Sequence, residues 1–429
     1  MTQNLFVLKN YRGGPSDYEN AGVLGSFKYG SSLDIRRDRD SLYCQQALKD
    51  DLAVGTIDSL PLFTVTASDG NWYLFCKNGK IWKRTSLGVY SLVYTEPDGI
   101  ISGACEWYNT VGDTFLYWAG TTRLHRKRII GTGYTDTGWN NVDSKVNNQT
   151  YPKTNLTSSP WHTMQQVNGV LLIANSNLMS MVGYDDSYTN NALSLIPGNR
   201  AKSILEHNNY AYIGCERVDT ARKSSLFFWD TLSLDWNNKM TIASPYVNAL
   251  VSTEFPIMQV GGTTGKIYVA DVANYPLPIA TFYGGGYVNP DGVDVDDGLA
   301  LFGVFNNGSG NSGIYTYGRK KKNANLVLNL DYPFDCDEIG SVRKVGTDIL
   351  FTYRIGSTYG VKKVDTLNKA TGIYQSIDLV APVSSREPTW SKIRIITDVL
   401  PAGCSVEVWR RSNKTGSFVQ TNMEGGGTS

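Results

Sequence analysis

Apolar residues in this chain fall in short, strand-length runs separated by polar turn pairs, and the same arrangement recurs along most of its length. Residues 164–184 (MQQVNGVLLIANSNLMSMVGY) show it most clearly. Asn168-Gly169 is a pair that tolerates positive φ, 170–174 is all apolar, 175–177 is a second turn, and 178–184 is a second apolar run. This pattern predicts a two-strand hairpin from a buried sheet.

From about residue 59 the unit recurs seven times, roughly every 40–50 residues, the period expected of propeller blades. The paired strands are predicted at 72–76 and 81–84, 114–118 and 123–129, 170–174 and 178–184, and 210–215 and 225–229. The remaining pairs are 255–260 and 266–270, 299–305 and 314–317, and 349–353 and 359–364. One such hairpin cannot cover both its faces, whereas radially arranged sheets cover one another. The expected fold is therefore all-β, a β-propeller of six or seven blades over residues 59–380. Six remains open because the first and last copies can merge. A β-sandwich is the competing architecture, and seven similar units in succession weigh against it.

The two ends do not fit the repeat. Residues 1–58 begin with turn chemistry at 11–18 (YRGGPSDY). Leu33 and Ile35 then alternate with charge, as in a strand with one wet face, so this segment is expected to be an extended arm that docks on something else. Residues 381–429 carry two alternating stretches, 390–400 and 404–410, and a third short one at 418–421. Two or three strands make a poor core alone. Either the arm or a neighbouring subunit completes this small C-terminal sheet, or the sequence stops partway through a longer protein.

Composition agrees with strands: Gly 43, Tyr 26 and Trp 10 are high in 429 residues, and helix-forming runs are scarce. Lys and Arg total 40 against 39 Asp and Glu, so no electrostatic grip on nucleic acid is expected, and no nucleic-acid recognition motif appears. No apolar run is long enough for a membrane-spanning helix. The N-terminal residues lack the pattern of a secretory signal, and the six scattered cysteines are expected to be reduced thiols of a protein made in a cytosol.

Candidate chemistry is sparse. His125, His162 and His207 are the only histidines and have no partner at ligand spacing, so neither a metal site nor a Ser-His-Asp triad is expected. Residues 291–298 (DGVDVDDG) place glycine wrongly for a calcium loop and read as a polar turn before a strand. The basic runs 319–322 (RKKK) and 123–128 (RLHRKR) read as solvated blade edges. Phosphate-loop, dinucleotide and serine-elbow motifs are missing, so no catalytic residue, cofactor or metal is assigned.

The N-terminal segment does carry a resemblance. Gly13-Gly14-Pro15, Gly25-Ser26-Phe27-Lys28-Tyr29-Gly30-Ser31-Ser32-Leu33-Asp34-Ile35-Arg36, then Asp38 and Ser41-Leu42, resemble the opening of tailed-bacteriophage virion proteins with a propeller behind such an arm. The resemblance implies a non-enzymatic structural component of a phage tail, at the nozzle, tail tip or fibre attachment, made in the bacterial cytoplasm and residing in the virion. Its implied partners are other tail proteins and further copies of itself, joined by strands added at the two ends. The residues expected at that assembly interface are Phe27, Tyr29, Leu33, Ile35, Arg36, Ile393, Ile395, Val406 and Val408. The alternative is a propeller that binds a glycan or receptor on the host surface through loop aromatics, and a glycosidase is a weaker one.

Overall fold

The computed structural model describes residues 14–15, 26–37, 41–132, 134–135, 138–139, 150–262, 264–270, 275–305, 310–322, 324–377, 395–400, 402–411 and 416–421. The chain divides into two units, Met1–Asp378 and Leu379–Ser429.

The first unit is a β-propeller with seven blades among the described residues. Blade 1 is Pro61–Thr66, Trp72–Cys76, Lys80–Arg84 and Tyr90–Thr95; blade 2 is Gly103–Tyr108, Thr114–Ala119 and Leu124–Ile130. Blade 3 is Met164–Val167, Val170–Asn175, Leu178–Gly183 and Tyr188–Ser194; blade 4 is Asn199–His207, Tyr210–Arg217, Ser224–Trp229 and Asn238–Ile242. Blade 5 is Val247–Ser252, Pro256–Val260, Lys266–Val269 and Leu277–Thr281; blade 6 is Val293–Asp296, Leu299–Val304, Gly313–Gly318 and Val327–Pro333. Blade 7 takes Glu338–Val345, Asp348–Ile355 and Thr358–Lys369 from the end of the repeat. Within each blade these strands are antiparallel neighbours. The first strands of successive blades touch in turn, and that of blade 7 returns to that of blade 1, which closes the ring.

Local chemistry explains the hairpins. Asn168 and Gly169 both have positive φ (47° and 79°), and the pair joins Val167 to Val170, which face each other across the turn. Asn208-Asn209 and Asp297-Gly298 do the same between His207 and Tyr210 and between Asp296 and Leu299. Two central residues with φ > 0 match the right-handed twist of the strands they connect, and Asn, Asp and Gly reach that region at least cost.

The core is divided among the junctions between blades. One apolar cluster fills each of the seven, for example Leu62, Phe75, Leu116 and Trp118 between blades 1 and 2, and Leu74, Leu350 and Val361 between blades 7 and 1. Each fully buried aliphatic or aromatic side chain contributes roughly 1.5–3 kcal/mol through area removed from water, so every blade depends on both neighbours.

The arm expectation is corrected here. Gln46–Asp50 is the outer strand of blade 7, antiparallel to Thr358–Lys369, with Leu48 opposite Val364 and Asp50 opposite Lys362. Ser26–Ser31 extends blade 6, meeting Val327–Pro333 in parallel at Ser31 and Leu330 and pairing antiparallel with Ile373–Ser376. Phe27, Leu33 and Ile35 pack with Val327 in an eighth apolar cluster. The described parts of the segment, residues 26–37 and 46–50, are thus folded into the propeller they precede, because Phe27, Leu33 and Ile35 find their cover on blade 6 and Gln46–Asp50 completes blade 7.

Two further expectations change. The basic run at 123–128 lies largely in the third strand of blade 2, where Arg126 and Lys127 are buried rather than solvated. Arg126 is held by Asp186 at 3.2 Å and Tyr117 Oη at 3.1 Å. Within 291–298, Val293–Asp296 is itself a strand.

Among its described residues, the second unit contains one hairpin: Trp409–Arg410 antiparallel to Val419–Gln420, extended by the Thr421 N–H donating to the Val408 carbonyl at 2.7 Å. The described part of the expected strand at 390–400, residues 395–400, is not in a sheet.

Candidate functional site

The nine residues expected at an assembly interface separate into two groups. Phe27, Leu33, Ile35 and Arg36 are all buried in the chain's own structure and offer no surface to a neighbour. Tyr29 is half-buried, its ring tilted against that of Tyr283 with centroids 4.8 Å apart, and it donates its hydroxyl to the Gly310 carbonyl at 3.0 Å. Arg36 donates to Asp331 at 3.2 Å and to the Thr316 and Val327 carbonyls at 2.7 and 2.9 Å, so its charge is used inside blade 6.

The C-terminal group is different. Ile395 and Val406 are exposed, Val408 is half-buried, and Ile393 lies outside the described residues. Around them Ile396, Val399, Trp409, Phe418 and Val419 are also exposed, Ile396 and Val399 by more than four-fifths (82% and 88%). Arg411 covers the Phe418 ring at 4.9 Å and Glu407 accepts from Trp409 Nε1 at 3.1 Å, and both aromatics remain about half exposed (43% and 52%). A two-stranded sheet with this much exposed apolar surface is the kind of surface that binds protein.

Polar chemistry inside the propeller serves two purposes. Where blades 1, 6 and 7 meet, Asp291 accepts from the Thr64 N–H at 2.9 Å and from Arg343, while Thr64 Oγ1 and Ser341 Oγ lie 2.6 Å apart. Burial pushes the Asp291 carboxyl up to about 6 against the pull of Arg343. Its oxygens are engaged from blades 1 and 7, and Asp291 itself stands just before the first strand of blade 6, so the group acts as a staple.

The second cluster is one that sequence spacing does not reveal. Glu96 and Asp98 flank Pro97 in the turn that leaves blade 1, closed by Gly99 (φ 70°) donating to the Glu96 carbonyl at 2.9 Å. His125 lies on the third strand of blade 2, opposite Trp118 and stacked on it (5.6 Å, 9°). One donor atom from each of Glu96, Asp98 and His125 lies within 4.8 Å of the others. Trp118 Nε1 donates to Glu96 Oε2 at 2.9 Å, and His125 Nε2 faces Glu96 Oε1 at 3.5 Å. His162 is instead buried with Nδ1 at the Ala174 carbonyl (2.7 Å) and Nε2 at the Thr121 carbonyl (3.1 Å), and His207 Nδ1 meets Ser252 at 2.7 Å. All six cysteines are free.

No protein-family model matches the chain, and no curated protein matches it. Among solved structures it is similar to the WD40 β-propeller domain of Doa1, at 12% identity and a TM-score of 0.51, over 76% of this chain and all of that one (100%). It is also similar to the β-propeller domain of Swd1 from Myceliophteria thermophila, at 10% identity and a TM-score of 0.50, over 72% of this chain and 98% of that one. Identities this low speak to the fold alone, and the fold they share with the chain is the β-propeller.

Proposed function

We propose that the chain is a structural component of a bacteriophage tail, a rigid propeller that joins further copies of itself through its C-terminal unit. The observation that carries this reading is the exposed apolar surface of Trp409, Phe418 and Val419 on a hairpin whose outer edges are unpaired among the described residues. Strand addition at such an edge supplies main-chain hydrogen bonds, while the aromatic side chains anchor the contact. The resemblance of residues 13–42 to virion proteins supports the tail setting. The propeller then works passively: its closed ring resists deformation, other tail proteins are its partners, and no chemical turnover is required of it.

The mass of the purified full chain in solution, with negative-stain images, tests this. Defined multi-disc assemblies that fall to single discs in Trp409→Ser/Val419→Ser support the reading. Single discs in the unaltered chain, or assemblies indifferent to both substitutions, overturn it.

A second reading, glycan binding, is favoured by Tyr108 and Tyr184, whose hydroxyls lie 3.1 Å apart beside the buried Trp107, with Tyr108 exposed. Polysaccharide retention lost in Tyr108→Ala would select it.

A further inference from the structure

Burying a carboxylate is costly unless a cation or several donors compensate it. The Glu96 side chain is fully covered, and among the described residues its one ion-pair partner is His125, which is charged only when protonated. Asp98 brings a second negative charge, met by the half-exposed Arg123 at 3.6 Å from Oδ1. Two carboxylates and an imidazole thus converge, and among the described residues the fixed cation paired with them is Arg123 at the outer edge. Trp118 holds Glu96 by a hydrogen bond and His125 by stacking, so both side chains are pre-oriented.

We propose that Glu96, Asp98 and His125 bind a divalent transition-metal ion, of the Zn²⁺ or Mn²⁺ class, at the junction of blades 1 and 2. One nitrogen and two carboxylate donors suit such ions better than Ca²⁺ or Mg²⁺, which favour all-oxygen shells. Glu96 Oε1 and His125 Nε2 point at each other across 3.5 Å, a separation that ligands sharing one ion adopt. Asp98 is partly exposed, at 28% of its side chain, and gives the ion an entry path and room for solvent to complete its coordination. The ion ties the turn leaving blade 1 to the third strand of blade 2. The competing arrangement is a protonated His125 that neutralises Glu96 without any ion.

The test uses the tag-free full chain, stripped with a chelator and titrated with Zn²⁺, Mn²⁺ and, as a spectroscopic probe, Co²⁺. The expected result is uptake of about one ion per chain, visible Co²⁺ absorption displaced by Zn²⁺, and affinity reduced at least about tenfold in Asp98→Asn. His125→Asn should lose the Co²⁺ signal. Because Asp98 is partly exposed, its variant is expected to fold, and its melting curve without metal verifies that. No uptake by the unaltered chain, or uptake unchanged in Asp98→Asn, overturns the proposal and leaves the protonated pair.

Discussion

Asp51 and Arg84 form a two-pronged ion pair, Nε to Oδ2 at 2.6 Å and Nη2 to Oδ1 at 3.1 Å, with both side chains buried. Asp51 follows the outer strand of blade 7 and Arg84 ends the third strand of blade 1, so the pair locks the ring where its two ends meet. Tyr90 Oη at 2.7 Å and Lys363 Nζ at 2.8 Å complete the lock. Replacing Asp51 by Asn leaves Arg84 and Lys363 short of a counter-charge and should cost about 3 kcal/mol. Urea unfolding of the variant measures this, and an unchanged midpoint would remove the lock from the account.

The same residue sets an acid limit. Burial alone raises the Asp51 carboxyl, but the bonds from Arg84, Lys363 and Tyr90 outweigh it and hold the group at about 2, below its usual 3.8. A depressed carboxylate stabilises the fold above its unfolded value and loses that contribution as pH falls through the folded one. Roughly 2 kcal/mol should therefore vanish between about pH 4 and 2, and a melting-temperature series through that window should be flatter in Asp51→Asn.

At His162, burial pushes the imidazole below its ordinary value, and the Ala174 and Thr121 carbonyls offset this only in part. The unfolded chain then takes up a proton before the folded one does. Stability is complete above about pH 6.5 and declines below it. His162→Gln should reduce the slope of stability against pH between neutrality and pH 5, which calorimetry reads directly.

Arg36 and Asp331 form a second buried pair, side chains 2% and 3% exposed. Arg36→Met leaves buried Asp331 with the Thr316 and Asn329 donors but without its guanidinium partner, with an expected loss of about 3 kcal/mol, while Arg36→Met/Asp331→Leu should recover part of it. A double-mutant cycle that shows simple additivity would contradict the coupling.

Gly340, on the first strand of blade 7, has no room for a side chain: an added Cβ would sit 2.0 Å from the Pro61 carbonyl oxygen of blade 1. The obstacle is backbone, so Gly340→Ala should cost about 3 kcal/mol or more. Gly346, in open space at a turn, is the control for the clash, since its Ala variant bears only the strain of φ 61°.

The middle strands of the blades were legible because both faces of each are covered by neighbours, as in Val170–Asn175 and Leu299–Val304, and they read as unbroken apolar runs. Outer strands such as Tyr90–Thr95 are half-covered, with weak patterning, and escaped notice. Charge misled in one place and spacing in another. Asp34 and Arg36 alternate with Leu33 and Ile35 like a solvated face, yet Lys320 and Asp331 bind them inside the fold. His125 looked isolated because Glu96 and Asp98 belong to the preceding blade and reach it through packing, which spacing along the chain does not encode.

The outer strand of blade 7 also imposes an order in time. Lys362 and Asp50 meet across 312 positions of sequence, so residues 46–50 emerge from the ribosome long before the strand they pair with exists. Throughout synthesis, blades can assemble one against the next, but the ring stays open until its final repeat is made. Synthesis of residues 358–369, rather than formation of any single earlier blade, is therefore the event that lets the ring close, and non-local closure of this kind is slow.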